Sequence, residues 1–183
     1  MLLFGHLGIT LGIFFGLAFF IPRLKIVIDP RYLAIGALLP DLVDKPLGRI
    51  IFAISLANGR IIGHTLLFSF LLLLAGLYLY EKRRDIRVTA LATGSFFHLF
   101  EDQMWIQPRT FFWPLLGFGF PRSQTDYTGL EYLLKMLEQS FQSGFSEIHI
   151  PEIMGMGILI LMTLHWLKKR LDKKKSDQLK SFK

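Results

Sequence analysis

The chain has 183 residues, of which 52% are hydrophobic, 19% are charged and 18 are phenylalanine. So much apolar side chain is not expected of a soluble domain of this length. The formal net charge of +7 does not indicate nucleic-acid binding, because Lys and Arg flank apolar runs instead of forming a stripe with exposed aromatics. The absence of cysteine excludes disulfides and thiolate metal ligands. Composition therefore predicts a single integral membrane domain over residues 1–183, without a nucleic-acid partner.

Five membrane-spanning segments are predicted from apolar runs that suit about 30 Å of hydrocarbon. Two of them, Leu2–Ile21 and Ile61–Tyr80, contain no Asp, Glu, Lys or Arg. The other three are Arg31 to about Ala57, Val88–Trp105, and about Ile150–Leu167. The predicted fold class is all-α, a polytopic membrane bundle of about five helices.

The second segment and the connection before the fifth depart from this simple pattern. Pro40, Pro46 and Gly48 interrupt the second segment, which predicts a broken helix. Such a break is tolerated at membrane depth where protein or water covers it. Residues 106–149 form the one long connection, rich in aromatic residues, Pro and Gly at its start. They are predicted to form an outer interfacial lid or docking surface.

The distribution of positive charge predicts the orientation. Fifteen of the 21 Lys and Arg residues fall in residues 22–31, 81–87 and 168–183, which share one face in this arrangement. Cytoplasmic connections carry the excess of Lys and Arg. The pattern predicts a multi-pass protein of the inner (plasma) membrane with its N-terminus outside. Residues 168–183 are then a basic cytoplasmic tail that rests on anionic membrane lipid.

Acidic and histidine side chains gather at the outer ends of the predicted helices. Six of them, from four segments, are predicted metal ligands at a common depth: His6, Asp41, Asp44, His64, His98 and Asp102. The i,i+3 spacing of the first two aspartates and the i,i+4 spacing of His98 and Asp102 put each pair on one helical face. Imidazole and carboxylate ligands suit zinc, manganese or iron, and carboxylates inside a membrane usually mark function. The sequence predicts one or two divalent ions, with zinc favoured.

Each of these residues alone also has a structural interpretation. His6 and His64 can be interfacial hydrogen-bonding groups, and Asp41 can cap a helix. Asp102 can instead pair with Arg109. The shared depth of the whole set favours a common polar site over these separate roles.

Three further ionisable residues are predicted to lie elsewhere or cannot be assigned from sequence. His165 falls at the cytoplasmic end of the fifth segment and is predicted to be structural. His149 and Glu152 lie on the outer side and can join the site, but the long connection leaves their positions open.

Four motifs resemble the YdjM-like family. They are Gly5-His6, Leu39-Pro40-Asp41-Leu42-Val43-Asp44, Arg60-Ile61-Ile62-Gly63-His64-Thr65, and His98–Asp102 followed by Phe112-Trp113-Pro114. The resemblance covers roughly residues 5–120. Members are described as LexA-binding, inner-membrane, predicted metal-dependent hydrolases. The resemblance therefore implies a metallohydrolase and leaves the substrate open.

The leading functional prediction is a metal-dependent hydrolase that acts near the outer leaflet on a lipid or phosphoester. The metal would lower the pKa of a bound water and polarise a phosphoryl or acyl oxygen. Glu101 is the predicted general base, and the guanidinium of Arg60 is predicted to hold a phosphate.

Two alternatives come from other classes of protein, and the oligomeric state stays open. A metal-ion or proton transporter would need a polar path that continues through the cytoplasmic halves of the helices, which are almost wholly apolar in the third and fourth segments. A non-catalytic membrane scaffold would explain the segments and the basic tail but not the acids at one depth.

Overall fold

All regular structure in the described part of the chain is helical. A computed structural model describes residues 3–52, 58–122, 131, 134 and 149–181. The α-helices in that part are α1 (Leu3–Phe20), α2 (Arg23–Val27), α3 (Pro30–Pro46), α4 (Leu66–Arg83), α5 (Arg87–Glu101), α6 (Pro108–Phe111) and α7 (His149–Ser181). Two short turns complete it, π-helical at Leu47–Ile51 and 3-10 at Met104–Ile106. The predicted all-α fold class is confirmed.

Two of the described helices are long and apolar enough to cross a membrane. They are α1 and the stretch Ile150–Lys175 of α7. Large apolar side chains also cover the outside of the other helices, with Leu71 and Leu74 of α4 about half exposed. Such an apolar surface suits lipid better than water. The five-span arrangement itself stays a prediction.

The second predicted segment is not interrupted at Pro40. Helix α3 continues through this buried proline, and its α-helical form ends only at Pro46, where the π-helical turn follows. A proline inside a membrane helix is tolerated when neighbouring helices and local π adjustments satisfy the freed backbone groups. The predicted irregularity therefore lies one and a half turns later than Pro40.

The third predicted segment begins later than the apolar run suggests. Ile61 to Thr65 form turns, and α4 starts at Leu66. The side chain of Thr65 accepts a hydrogen bond from the backbone N–H of Phe68 and so caps the helix. Because the helix begins only after Thr65, the residues before it are not helical and can contact α3.

Close backbone packing holds the bundle in the order α7, α1, α3, α5, α4. A Cβ atom on Gly94 of α5 would lie 2.3 Å from the carbonyl oxygen of Leu33 in α3. One on Gly155 of α7 would lie 2.2 Å from the carbonyl oxygen of Phe4 in α1. Small residues at helix contacts are typical of membrane helix packing, where no water drives association.

The antiparallel course of the helices sets up two polar ends. The start of α1, the start of α4 and the end of α5 lie together at one end, and the α4–α5 connection lies at the other. Helix α7 continues to Ser181, so much of the predicted basic tail is helical. Of the predicted outer loop, the first part contains α6, while residues 123–130 and 135–148 lie outside the described residues.

Candidate metal centre

Two histidine rings meet edge to face, His64 from the turn before α4 and His98 from α5, with an angle of 72° between their planes. The Nδ1 atom of His98 lies 2.7 Å from the carbonyl oxygen of Ala37, an atom that only accepts, so Nδ1 carries the proton. The Nδ1 atom of His64 lies 2.7 Å from Oδ2 of Asp44. The two Nε2 atoms point towards each other at 3.2 Å, and both rings are fully buried.

His6 of α1 brings a third ring to the same place. Its ring stacks on that of His98 with centroids 3.9 Å apart. Its Nδ1 atom is 2.8 Å from Oε2 of Glu101, whose Oε1 accepts a hydrogen bond from Thr10 one helical turn further along α1. The Nε2 atom of His6 is buried without a hydrogen-bond partner among the described residues. A buried nitrogen of this kind is costly unless something else binds it.

Asp44 supports the turn that carries His64. Its carboxylate accepts hydrogen bonds from the backbone N–H groups of Ile61 (2.7 Å), Gly63 (2.7 Å) and His64 (3.0 Å), besides the ring contact. Four donors around one buried carboxylate satisfy its oxygens and fix the turn. Asp44 also lies outside the groups of atoms that could hold a metal ion.

Two other aspartates present oxygens to the histidine nitrogens. Oδ1 of Asp41 lies 3.6 Å from Nε2 of His64, while its Oδ2 is held by Lys45 at 2.7 Å. Oδ1 of Asp102 lies 3.3 Å from Nε2 of His6, and its Oδ2 accepts a hydrogen bond from Nη2 of Arg60 at 2.7 Å. In each carboxylate, Oδ2 thus binds a Lys or Arg side chain, and Oδ1 lies near an imidazole nitrogen.

Five of the predicted residues therefore form what we call the candidate metal centre: His6, Asp41, His64, His98 and Asp102. Two overlapping triads of them could hold a divalent ion, and both include His98. In the triad of Asp41, His64 and His98 the ligand atoms lie 3.2, 3.6 and 4.0 Å apart, near the separation of about 3.4 Å between tetrahedral ligands with bonds of about 2.1 Å. The Nε2 atom of His6 has no hydrogen bond among the described residues and only the Asp102 oxygen at 3.3 Å, so this donor set fits a transition metal.

Sequence reasoning missed the residues that hold these side chains in place. Thr10 follows His6 by four positions, and Lys45 follows Asp41 by four, so helical spacing was a usable signal for both. The carbonyl of Ala37 carries no sequence signal, because any residue there would supply it.

None of the remaining predicted residues belongs to either triad among the described residues, although Glu152 lies next to the centre. His165 is exposed on α7. Glu152 is buried at the other end of that helix, where its Oε2 accepts a hydrogen bond from the backbone N–H of Gly5. The side chain of His149 lies outside the described residues.

An all-helical bundle with large exposed apolar surfaces and a buried His/Asp cluster defines a membrane protein with a candidate metal site. The model of the family described as YdjM inner membrane protein matches residues 1–171. The chain belongs to this family, as the motifs around His6, Asp41, His64 and His98 predict. Neither a curated protein nor a solved structure matches the chain.

Proposed function

We propose that this chain is a metal-dependent hydrolase of the inner membrane that acts on a lipid phosphoester near the outer leaflet. The observation that carries the proposal is the pair of overlapping His/Asp triads that share His98, in which the Nδ1 atoms of all three histidines are engaged. Acceptors behind the rings select the tautomer and orient the free nitrogens, as they do in known metal sites.

The shared histidine favours one ion rather than two. A neutral imidazole has a single lone pair once its other nitrogen is protonated. Nε2 of His98 belongs to both triads and cannot serve two ions at once. Zinc is the first choice, with manganese or iron as alternatives, because nitrogen and carboxylate oxygen are acceptable to all three. When bound, the ion supplies Lewis acidity for ester hydrolysis.

One aspartate remains available to accept a proton. Catalytic zinc needs three protein ligands and an open position, fewer than the five donors present. The side chain of Asp41 is 15% exposed and that of Asp102 is 4% exposed, so water reaches Asp41 more easily. We assign proton acceptance to Asp41. Glu101, whose oxygens are occupied by His6 and Thr10, becomes a positioning residue instead of the base.

Arg60 is placed to hold an anionic substrate beside the centre. One N–H group of its guanidinium binds Asp102, and the side chain remains about one-third exposed. A guanidinium has five N–H donors, so others can bind a phosphate oxygen. The backbone N–H of the same residue is bound by Asn58, whose side chain also donates to the carbonyl of Pro121.

The segment that ends at Pro121, whose carbonyl binds Asn58, supports a lipid as the substrate. The stretch before Pro121 exposes large apolar side chains, with Leu115 and Phe118 each 83% exposed. Aromatic and apolar groups of this kind favour the interfacial region of a bilayer. They would let an acyl chain lie beside the end of the bundle while its phosphoester approaches Arg60.

The test is hydrolysis of defined phospholipids by purified protein in nanodiscs, followed by mass spectrometry of the products. Wild type and His165→Ala are expected to release product, and His98→Ala and Asp41→Asn are expected to be inactive. Asp41→Asn should retain more metal than His98→Ala, because its main role is proton acceptance. Equal hydrolysis by wild type and metal-free His98→Ala would contradict the proposal.

A further inference from the structure

A second polar cavity lies at the end of the bundle opposite the candidate metal centre. It is an open pocket of about 620 Å³ between the junction of α2 with α3 and the junction of α4 with α5. Helices α1 and α4 each have 18 residues, a length of about 27 Å. This is close to the thickness of membrane hydrocarbon. The cavity and the metal centre therefore suit opposite faces of the bilayer.

The cavity, which we call the basic pocket, has an excess of positive charge. Its cations are Lys25, Arg83, Arg84 and Arg87, and its anions are Asp29 and Asp85. Asp29 is bound by the neighbouring Arg31 at 2.6 Å, and Asp85 lies 3.7 Å from Arg87. Neither Lys25 nor Arg83 has an ion pair with another described residue. Both side chains are exposed and line the pocket.

Arg84, which lines the pocket, stands at a backbone position that favours glycine. This residue ends α4 with φ 55° and ψ 26°, a left-handed conformation that favours glycine. Its guanidinium lies 5.6 Å from the ring of Tyr80.

One exposed apolar side chain, that of Ile26, lines the pocket, and two more lie at the end of α1 a few residues before it in sequence. Ile26 is 86% exposed, Phe20 is 80% exposed and Ile21 is half exposed. A free anion in water needs no such surface, whereas a phospholipid has acyl chains next to its phosphate. Basic pockets between helix ends are known to bind anionic head groups in this way.

We propose that the basic pocket binds the head-group phosphate of an anionic phospholipid from the leaflet opposite the metal centre. The guanidinium groups of Arg83 and Arg84 donate to the phosphate oxygens, and Lys25 contributes its charge from the α2 side. Ile26 and Phe20 lie along the acyl chains. This binding does not depend on the hydrolase activity.

The test compares melting of full-length protein in neutral detergent with added phosphatidylglycerol or phosphatidylcholine. The pocket variant is Lys25→Gln with Arg83→Gln. A matched control, Arg23→Gln with Lys82→Gln, removes two charges from positions adjacent in sequence that do not line the pocket. Phosphatidylglycerol should raise the Tm of wild type and control by several degrees, and most of this rise should be lost in the pocket variant. An equal loss in both double variants would overturn the proposal.

Two further experiments identify the ligand and control for misfolding of the double variant. Inorganic phosphate should not reproduce the rise, and a full effect of phosphate alone would overturn a lipid as the occupant. Arg84→Gly removes a pocket cation while suiting the left-handed backbone, so it should fold even if the double variant does not. Native mass spectrometry should show phosphatidylglycerol retained over phosphatidylcholine by wild type and less so by Arg84→Gly. Equal retention of the two lipids by wild type would overturn the proposal.

Discussion

The Nε2 atoms of His64 and His98 lie 3.2 Å apart, while Asp44 and the carbonyl of Ala37 hold the Nδ1 atoms of the same rings. Two imidazole lone pairs at this distance repel each other unless a cation or a proton lies between them. The groups behind the rings keep the nitrogens facing despite this repulsion. The pair is therefore built to share a positive partner, and Asp41 and Asp102 supply the compensating negative charge.

Replacing Asp44 with asparagine should destabilise the fold itself. The Asp44 carboxylate accepts four hydrogen bonds, and an amide would turn an NH₂ group towards donors that need an acceptor. We expect a loss of about 3 kcal/mol in the free energy of unfolding, measured on metal-free protein. Asp41→Asn, which removes a more exposed carboxylate, is the control and should cost less. Wild-type stability of Asp44→Asn would show that the turn before α4 does not depend on this carboxylate.

Glu101→Gln separates a positioning role from a general-base role. Loss of the carboxylate behind His6 should weaken metal binding by about 10–100-fold, as outer-shell changes do. The measurement is metal affinity by competition with a chelator, with Glu81→Gln on exposed α4 surface as the control. Unchanged affinity together with lost hydrolysis would instead assign Glu101 as the base.

Gly94→Ala should disrupt the contact between α3 and α5 and so displace His98. The added methyl would lie 2.3 Å from the carbonyl oxygen of Leu33, so the helices must separate. We expect a loss of about 2–3 kcal/mol in the free energy of unfolding. Gly16→Ala is the matched control, because a Cβ there meets nothing within 4 Å, and it should be neutral or slightly stabilising. Similar melting of both variants would rule out tight packing at Gly94.

Single cysteines can test the proposed orientation, because the natural chain contains none. Arg122→Cys, on the same side as the metal centre, should react with a membrane-impermeant maleimide in intact cells. Lys173→Cys on α7 should react only after the membrane is permeabilised. The reverse labelling would place the metal centre at the cytoplasmic face.

The sequence was sufficient to predict which residues meet. Helices of alternating direction bring His6, His64 and His98 to one end of the bundle, and the succession of apolar runs predicts that alternation. The individual roles of the clustered residues could not be predicted as well from the sequence. Asp44 looks equivalent to Asp41 and Asp102 in sequence, because all three are acids at the same level, and Glu101 looks like an acid free to serve as the base.

The structure separates these roles through groups that carry no residue-specific signal. Asp44 accepts hydrogen bonds from backbone N–H groups of the turn before α4. That turn lies within the apolar run Ile61–Tyr80, for which the sequence predicts a continuous helix. The effect of Pro40 could not be predicted from the sequence either, because whether α3 continues through this proline depends on packing with neighbouring helices.

The most direct test of the central claim is the metal content of purified protein after growth with zinc. About one divalent ion per chain is expected in wild type and in His165→Ala, whose ring is exposed on α7. His98→Ala should lose nearly all of it, because His98 belongs to both triads. Equal metal content in all three proteins, or none in wild type, would contradict the assignment of this cluster as a metal centre.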